Sequence, residues 1–266
     1  MTSINTSSNF VSSSDALNKT FSQVSSGKHI NSAADDAAGL AIATRFSSQF
    51  SGTQQAQRNG LDAKSLIETE DGALGQISTG IQRLQELAVQ QGNGILNDSD
   101  RTALNKEAAQ ISDNINQVIE QSSFNNKDLF QDPSNSSSLN FQLGDKAGDV
   151  VSLTANVTAD PIKDGLTQLD FSNPDPSDNL TALESIQQVV TERRSELGAV
   201  SNRIDSSIDQ LSNEEIQAES ARSRVEDADI ADLVSQMVIE RVKQQAQLAI
   251  QSQANASAED TLRLLS

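Results

Sequence analysis

The chain is expected to fold as a mainly α protein: an elongated antiparallel helical bundle or coiled coil with a small β-hairpin region and both termini together. Three observations lead there. Leu183, Ile186, Val190, Leu197, Val200, Ile204 and Leu211 fall at spacings of three and four residues, or at their sum. Ile67, Leu74, Ile77, Ile81, Leu84 and Ala88 repeat the pattern far earlier in the chain. A seam this narrow is how one helix meets another lengthwise, and two seams around an irregular middle imply a hairpin of long helices. The stretch from Leu183 to Leu211 alone would span roughly 43 Å at about 1.5 Å per residue. Composition agrees: only 35% of the 266 residues are hydrophobic and 3% aromatic, with eight Phe and no Trp or Tyr. So few large side chains suit two- to four-helix packing better than a globule.

Residues 1 to 34 are Ser- and Asn-rich, and Ile4, Phe10, Leu17, Phe21 and Val24 mark a thin helical stripe, marginal on its own. Ser25-Ser26-Gly27 ends it, because Gly tolerates positive φ and weakens helices. Asp35 to Leu40 lead into a helix through Ala41, Ile42, Phe46 and Phe50, locally weakened at Gly52 and Gly60, and the strong seam then runs to about Gln91. Gly92-Asn93-Gly94 stops the helix, and Asn97-Asp98-Ser99-Asp100 supplies N-cap chemistry for the next one. That helix carries Leu104, Ala108, Ile111, Ile115 and Val118 and ends before Asn125-Asn126. Leu139, Phe141 and Leu143, then Val151 and Leu153 after the turn from Gly144 to Asp149, alternate as a β-hairpin does. Asn173 to Asp178 is loop by composition. From Leu180 the chain reads as helix to about Asn213 and onward through Val225 to its end, where Val242, Ala246, Ala249 and Ala256 are mostly small.

The formal charge of −18 disfavours phosphate and anionic lipid as partners. No apolar run approaches the roughly 20 residues that span a bilayer. The absence of Cys excludes disulfides, thiolate catalysis and Cys-ligated metal. A single His, His29, leaves no His-paired metal site and argues against a catalytic triad. The first residues carry no Sec-type signal peptide, so a cytosolic chain, or one exported without a cleaved leader, is expected.

Longer motifs then become informative. Ser25-Ser26-Gly27, Ile30-Asn31-Ser32-Ala33 and the stretch from Asp35 to Phe46 resemble the N-terminal signature of bacterial flagellins, as do Gly72-Ala73-Leu74 and residues Ile81 to Gln90. Leu197 to Arg203 and Ala221 to Asp229 are similar to the C-terminal signature. These motifs cover most of residues 1–125 and 180–266, in the family's order. Between Lys19 and Ser25 the chain is about one heptad shorter than the resemblance suggests, which keeps the helix face.

The resemblance implies an inner coiled-coil core from residues 1–35 with 226–266, a spoke at 36–46, and an outer helical rod at 47–225. The rod would hold a β-hairpin near 139–154 and a loop near 170–180. It implies a structural subunit, secreted unfolded through the flagellar channel, that polymerises into the extracellular filament for swimming motility. The terminal helices would be disordered in the free subunit and order on assembly. Ile4, Leu17, Ile230, Leu233, Met237, Val242, Leu248, Leu262 and Leu265 would form the polymerisation core. Implied partners are other copies of the chain, an export chaperone at the C-terminal helix, the filament cap and the hook-junction proteins. No nucleic acid, membrane insertion or cofactor is implied. The alternatives are a hook–filament junction protein and, in another class, a surface adhesin or immune-receptor ligand.

By the same resemblance, Arg83, Leu87 and Glu107 fall where the flagellin-sensing Toll-like receptor reads some members, or where subunits pack. Arg83 and Leu87, four apart, share a helix face. Asp35, Asp36 and Gly39 read as a helix cap and flexible joint, because two adjacent carboxylates without further ligands hold calcium poorly. Ser134 to Ser138 form either a solvated linker or an O-glycan acceptor. Glu68, Glu70, Asp71 and Glu184 read as a solvated helix face. With no P-loop, dinucleotide fingerprint or H-E-x-x-H present, no catalytic or metal site is expected.

Overall fold

The computed structural model describes the backbone of residues 2–130, 138–173 and 175–265, and the side chains of 13–130, 138–173 and 175–257. Among these residues the chain forms α1 (Thr2–Ser26), α2 (Ala37–Gln91), α3 (Asp98–Gln121), β1 (Ser123–Phe124), β2 (Lys127–Asp128), β3 (Leu139–Gln142), β4 (Val150–Leu153), α4 (Ala159–Thr167), α5 (Ser177–Glu226) and α6 (Ile230–Leu265). The fold is mainly α, as expected. The chain divides into two compact units, Gly52–Glu214, and Met1–Ser51 with Glu215–Ser266.

Within residues 52–214, α2 and α5 lie antiparallel. Lys64 pairs with Asp205 at 2.7 Å, Asp71 with Arg194 at 2.7 Å, and Ser78 with Gln187 at 3.2 Å, so numbers rise along one helix as they fall along the other. The buried positions of α2 include 53, 56, 60, 63, 67, 70, 74, 77, 81, 84, 88 and 91, an unbroken alternation of three and four. Gly60 does not interrupt the helix. A Cβ there would lie 3.0 Å from the Ile208 side chain, so glycine serves close approach of α5. α3 folds back on α2 after a capping box, in which Asp100 N–H donates to Asn97 Oδ1 at 3.0 Å and Asn97 N–H to Asp100 Oδ2 at 3.1 Å.

The hairpin of β3 and β4 pairs Leu139 with Leu153 and Phe141 with Val151, the register that the alternation implies. Two elements escaped the sequence. β1 and β2 close over Asn125 and Asn126, both left-handed at φ 49° and 61°, as a two-residue turn requires. α4, which buries Ala159, Ile162 and Leu166, is too short for its period to stand out, with Pro161 in its first turn.

The seam is not wholly apolar. Glu70 is not on a solvated face: its side chain is 2% exposed, and Arg193, 4% exposed, donates from Nε to Glu70 Oε1 at 2.6 Å. Asn156 Nδ2 donates to the same oxygen at 2.8 Å, while Arg193 Nη1 reaches the Thr154 carbonyl at 3.0 Å and Glu196 at 2.8 Å. Burial pushes the Glu70 carboxyl up, against the opposing pull of Arg193. At the end of α2, Asn179 Nδ2 donates to Gln91 Oε1 at 2.8 Å, and Gln91 Nε2 donates to the carbonyls of Asp170 and Asn173.

The other unit holds both chain ends. α1 stops at Gly27, whose φ of 71° is the left-handed C-cap conformation, and Gly27 N–H donates to Gln23 O at 2.9 Å. The helix does not run unbroken from Val225 to the end. Asp227-Ala228-Asp229 leave it to pair with residues 27–29: His29 N–H donates to Glu226 O at 2.7 Å and Ala228 N–H to Gly27 O at 3.1 Å. Asp229 Oδ1 then caps α6 by accepting from Ala231 N–H at 2.9 Å. The end of α1 thus lies beside the start of α6, and the two pack antiparallel.

Candidate functional site

The paired chain ends are the place where the molecule departs from ordinary core-forming chemistry. Among the described residues of this unit, Ile30 and Leu233 are the only large apolar side chains that are buried, and Ala43 and Ala218 are the other buried apolar residues. On α6, the side chains shielded from solvent are Leu233, Met237, Glu240, Gln244, Gln247 and Gln251, spaced four and three in alternation. That is a coiled-coil seam by period, but beyond Met237 a polar one. On α1 the buried residues are Ser13, Thr20 and Gln23, with Ala16, Leu17 and Val24 half-buried.

Most of the apolar side chains of α6 are exposed instead. Phe21, which the sequence placed in the helical stripe, is 61% exposed, and Ile230, Val234, Val238, Ile239, Val242, Leu248 and Ile250 are exposed along α6. Of the stripe, Leu17 and Val24 are half-buried and Phe21 turns outward, while the side chains of Ile4 and Phe10 lie outside the described residues. The physical reason is the pairing itself: apart from Leu17, Val24, Leu233 and Met237, the shielded positions of α1 and α6 carry short or polar side chains, which leaves Phe21 and most β-branched residues of α6 outside. A run of exposed apolar groups on one helix marks an interaction surface.

Of the anticipated polymerisation residues, Leu233 is buried, Leu17 and Met237 are half-buried, and Ile230, Val242 and Leu248 are exposed. The side chains of Ile4, Leu262 and Leu265 lie outside the described residues, as do Ser134 to Ser137. The joint below α1 is tied by hydrogen bonds. Lys19 Nζ meets Asp35 Oδ1 at 2.8 Å, and Asn31 N–H, Ser32 N–H and Ser32 Oγ donate to Asp35 Oδ2. The Lys19 ammonium, then the Ser32 hydroxyl and the two backbone N–H groups, hold the Asp35 carboxyl down at about 2. Asp36 Oδ1 caps α2 through Ala38 N–H at 3.0 Å and Gly39 N–H at 2.9 Å. Lys28 Nζ reaches Glu226 at 2.5 Å, and His29 is exposed.

In the other unit, Arg83 and Glu107 come together on the surface, Nη2 to Oε1 at 2.6 Å, with Glu86 at 2.7 Å on the same guanidinium. Both carboxylates hold Arg83 further in its charged form, Glu86 foremost. Leu87 is not part of that surface. It is 1% exposed and belongs to the core, because position 87 adjoins the buried seam position 88. Among the described residues no three His, Cys, Asp or Glu gather as metal ligands would, and no helix is long and apolar enough to cross a membrane.

Known proteins are similar to this chain. The family model for the bacterial flagellin N-terminal helical region matches residues 1–135, and that for the bacterial flagellin C-terminal helical region matches residues 180–265. The chain is 35% identical to a flagellin of Halalkalibacterium halodurans over 251 residues, covering 93% of this chain and 91% of the relative. It is 31% identical to a flagellin of Bacillus subtilis, covering 98% and 97%. The crystal structure of Bacillus cereus flagellin superposes with a TM-score of 0.53 at 30% identity, over 58% of this chain and 88% of that one. The chain therefore belongs to the bacterial flagellin family.

Proposed function

We propose that this chain is a structural subunit of the bacterial flagellar filament and that its mechanism is polymerisation through the paired ends. The observation that carries the proposal is the set of exposed apolar side chains on α6, from Ile230 to Ile250, around an inward seam that beyond Met237 is polar. Ordering a residue costs about 1–2 kcal/mol of backbone entropy. The few apolar contacts inside this pair offset little of that, so neighbours in the assembly must supply the rest. Residues 1–35 with 226–266 make the inner core in this reading, residues 36–46 the spoke, and residues 47–225 the outer rod. The subunit does no chemistry of its own. It leaves the cell unfolded through the flagellar channel, handed over by a chaperone that covers the C-terminal helix, and is placed beneath the filament cap above the hook-junction proteins. The Arg83–Glu107 surface packs between subunits and, on free chains, offers the Toll-like receptor two charged groups without Leu87.

Deleting residues 242–266 tests the proposal. The truncated chain is expected to remain a soluble helical monomer and to fail to extend filament seeds viewed by negative-stain microscopy. Normal filaments from it would refute the reading.

A further inference from the structure

The seam between α2 and α5 repeats every seven residues, so apolar packing, the close approach of Ile208 to Gly60 apart, does not choose among registers one heptad apart. A slide of seven residues moves one helix by about 10 Å along the other and again sets Leu, Ile, Val and Ala against each other. Two polar contacts break that degeneracy. Glu70 and Arg193 occupy seam positions and meet at 2.6 Å, both nearly sealed from water. Gln91 and Asn179 also occupy seam positions and meet at 2.8 Å, both buried.

A slide in either direction carries Arg193 to the level of Ala63 or Ile77, and Glu70 to the level of Ile186 or Val200. All four of those residues lie in or against the apolar core. Each charge would then be buried without its partner, the arrangement that proteins tolerate least. The same slide parts Gln91 from Asn179 and from the carbonyls of Asp170 and Asn173. The node also ties in a third segment, because Asn156 donates to Glu70 and the Thr154 carbonyl accepts from Arg193. The chain leaving the hairpin therefore docks correctly in one register only.

We propose that Glu70–Arg193 and Gln91–Asn179 are register keys that hold α2 and α5 at a single axial setting. Every copy then has the same length of rod and the same outer surface. Only this last consequence, for lateral packing in the filament, rests on the function proposed above.

The chain has no cysteine, so an introduced pair is the sole thiol pair present. Ser78→Cys with Gln187→Cys reports the native register. Ser78→Cys with Leu180→Cys, or with Arg194→Cys, reports a slide of one heptad either way. In dilute, unassembled full-length chain with its keys intact, only the native reporter is expected to oxidise readily. With E70L, R193M, Q91L and N179L together, helicity is expected to persist while an off-register reporter gains several-fold in cross-linked yield. If that variant does not fold, E70Q, R193M, Q91M and N179L together remove both keys with closer matches of side-chain size and are read the same way. Native cross-links alone in a folded keyless variant would overturn the proposal. Because the assay needs no polymer, its failure leaves the filament reading standing, and a failure to polymerise leaves the register result standing.

Discussion

Arg193 and Glu70 show how much hangs on a single contact inside an apolar seam. Taking either partner away leaves the other charge in the core without compensation. Arg193→Ala is therefore expected to destabilise the 52–214 unit by about 3–5 kcal/mol, read by urea denaturation. A loss near that of an exposed ion pair would contradict the burial. Asp35 works in the opposite electrostatic sense. Its folded value, about 2, lies below the ordinary 3.8, so the stability it contributes is complete above about 3.8 and disappears as pH falls toward 2. Amide exchange at Asn31 and Ser32 should accelerate across that window, and Asp35→Asn should flatten the response. The helical period marks position 70 as a seam position, but a carboxylate there is indistinguishable from a solvated neighbour until its partner is known. That partner comes from the other half of the chain, and one helix's spacing does not contain it. Leu87 was legible as apolar, whereas its inward direction follows from the packing of α2 rather than from its distance to Arg83.

Elements with a long, strict period could be read directly. The α2 and α5 seams, the Asn97 cap and the β3–β4 alternation all reflect contacts local in sequence or repeated many times over. Asn97→Ala should cost about 1 kcal/mol by freeing the N–H groups at the start of α3, with faster amide exchange confined to its first turn. No change there would mean that the capping box is not formed in solution. α4 and the β1–β2 turn are too short to repeat, and tertiary contact decides them: Ile162 and Leu166 become visible as a face only once the core they enter exists. The break between α5 and α6 was hidden for another reason. Asp227 to Asp229 hold no Gly or Pro to mark a break, and what draws them out is pairing with residues 27–29, nearly two hundred positions away.

The whole molecule has an ample core in residues 52–214 and chain ends that bury little, and it carries a formal charge of −18. Copies that must approach closely will repel one another unless salt intervenes. Assembly from seeds should therefore quicken as ionic strength rises from about 0.01 to 0.15 M and the screening length shrinks from about 30 to 8 Å. Turbidity indifferent to salt over that range would count against charge repulsion as the brake. That the ends would be poor in core was plain from composition, but which face they turn outward was not, because that depends on the partner each helix takes. One further consequence lies in the period of α2. A straight helix drifts by about 20° per heptad from a seven-residue repeat, and the seam from Thr53 to Gln91 shows no such drift. α2 and α5 must accordingly wind about each other left-handed. A torque about the pair's own axis that adds to this winding presses the two helices together, and the reverse torque pries them apart.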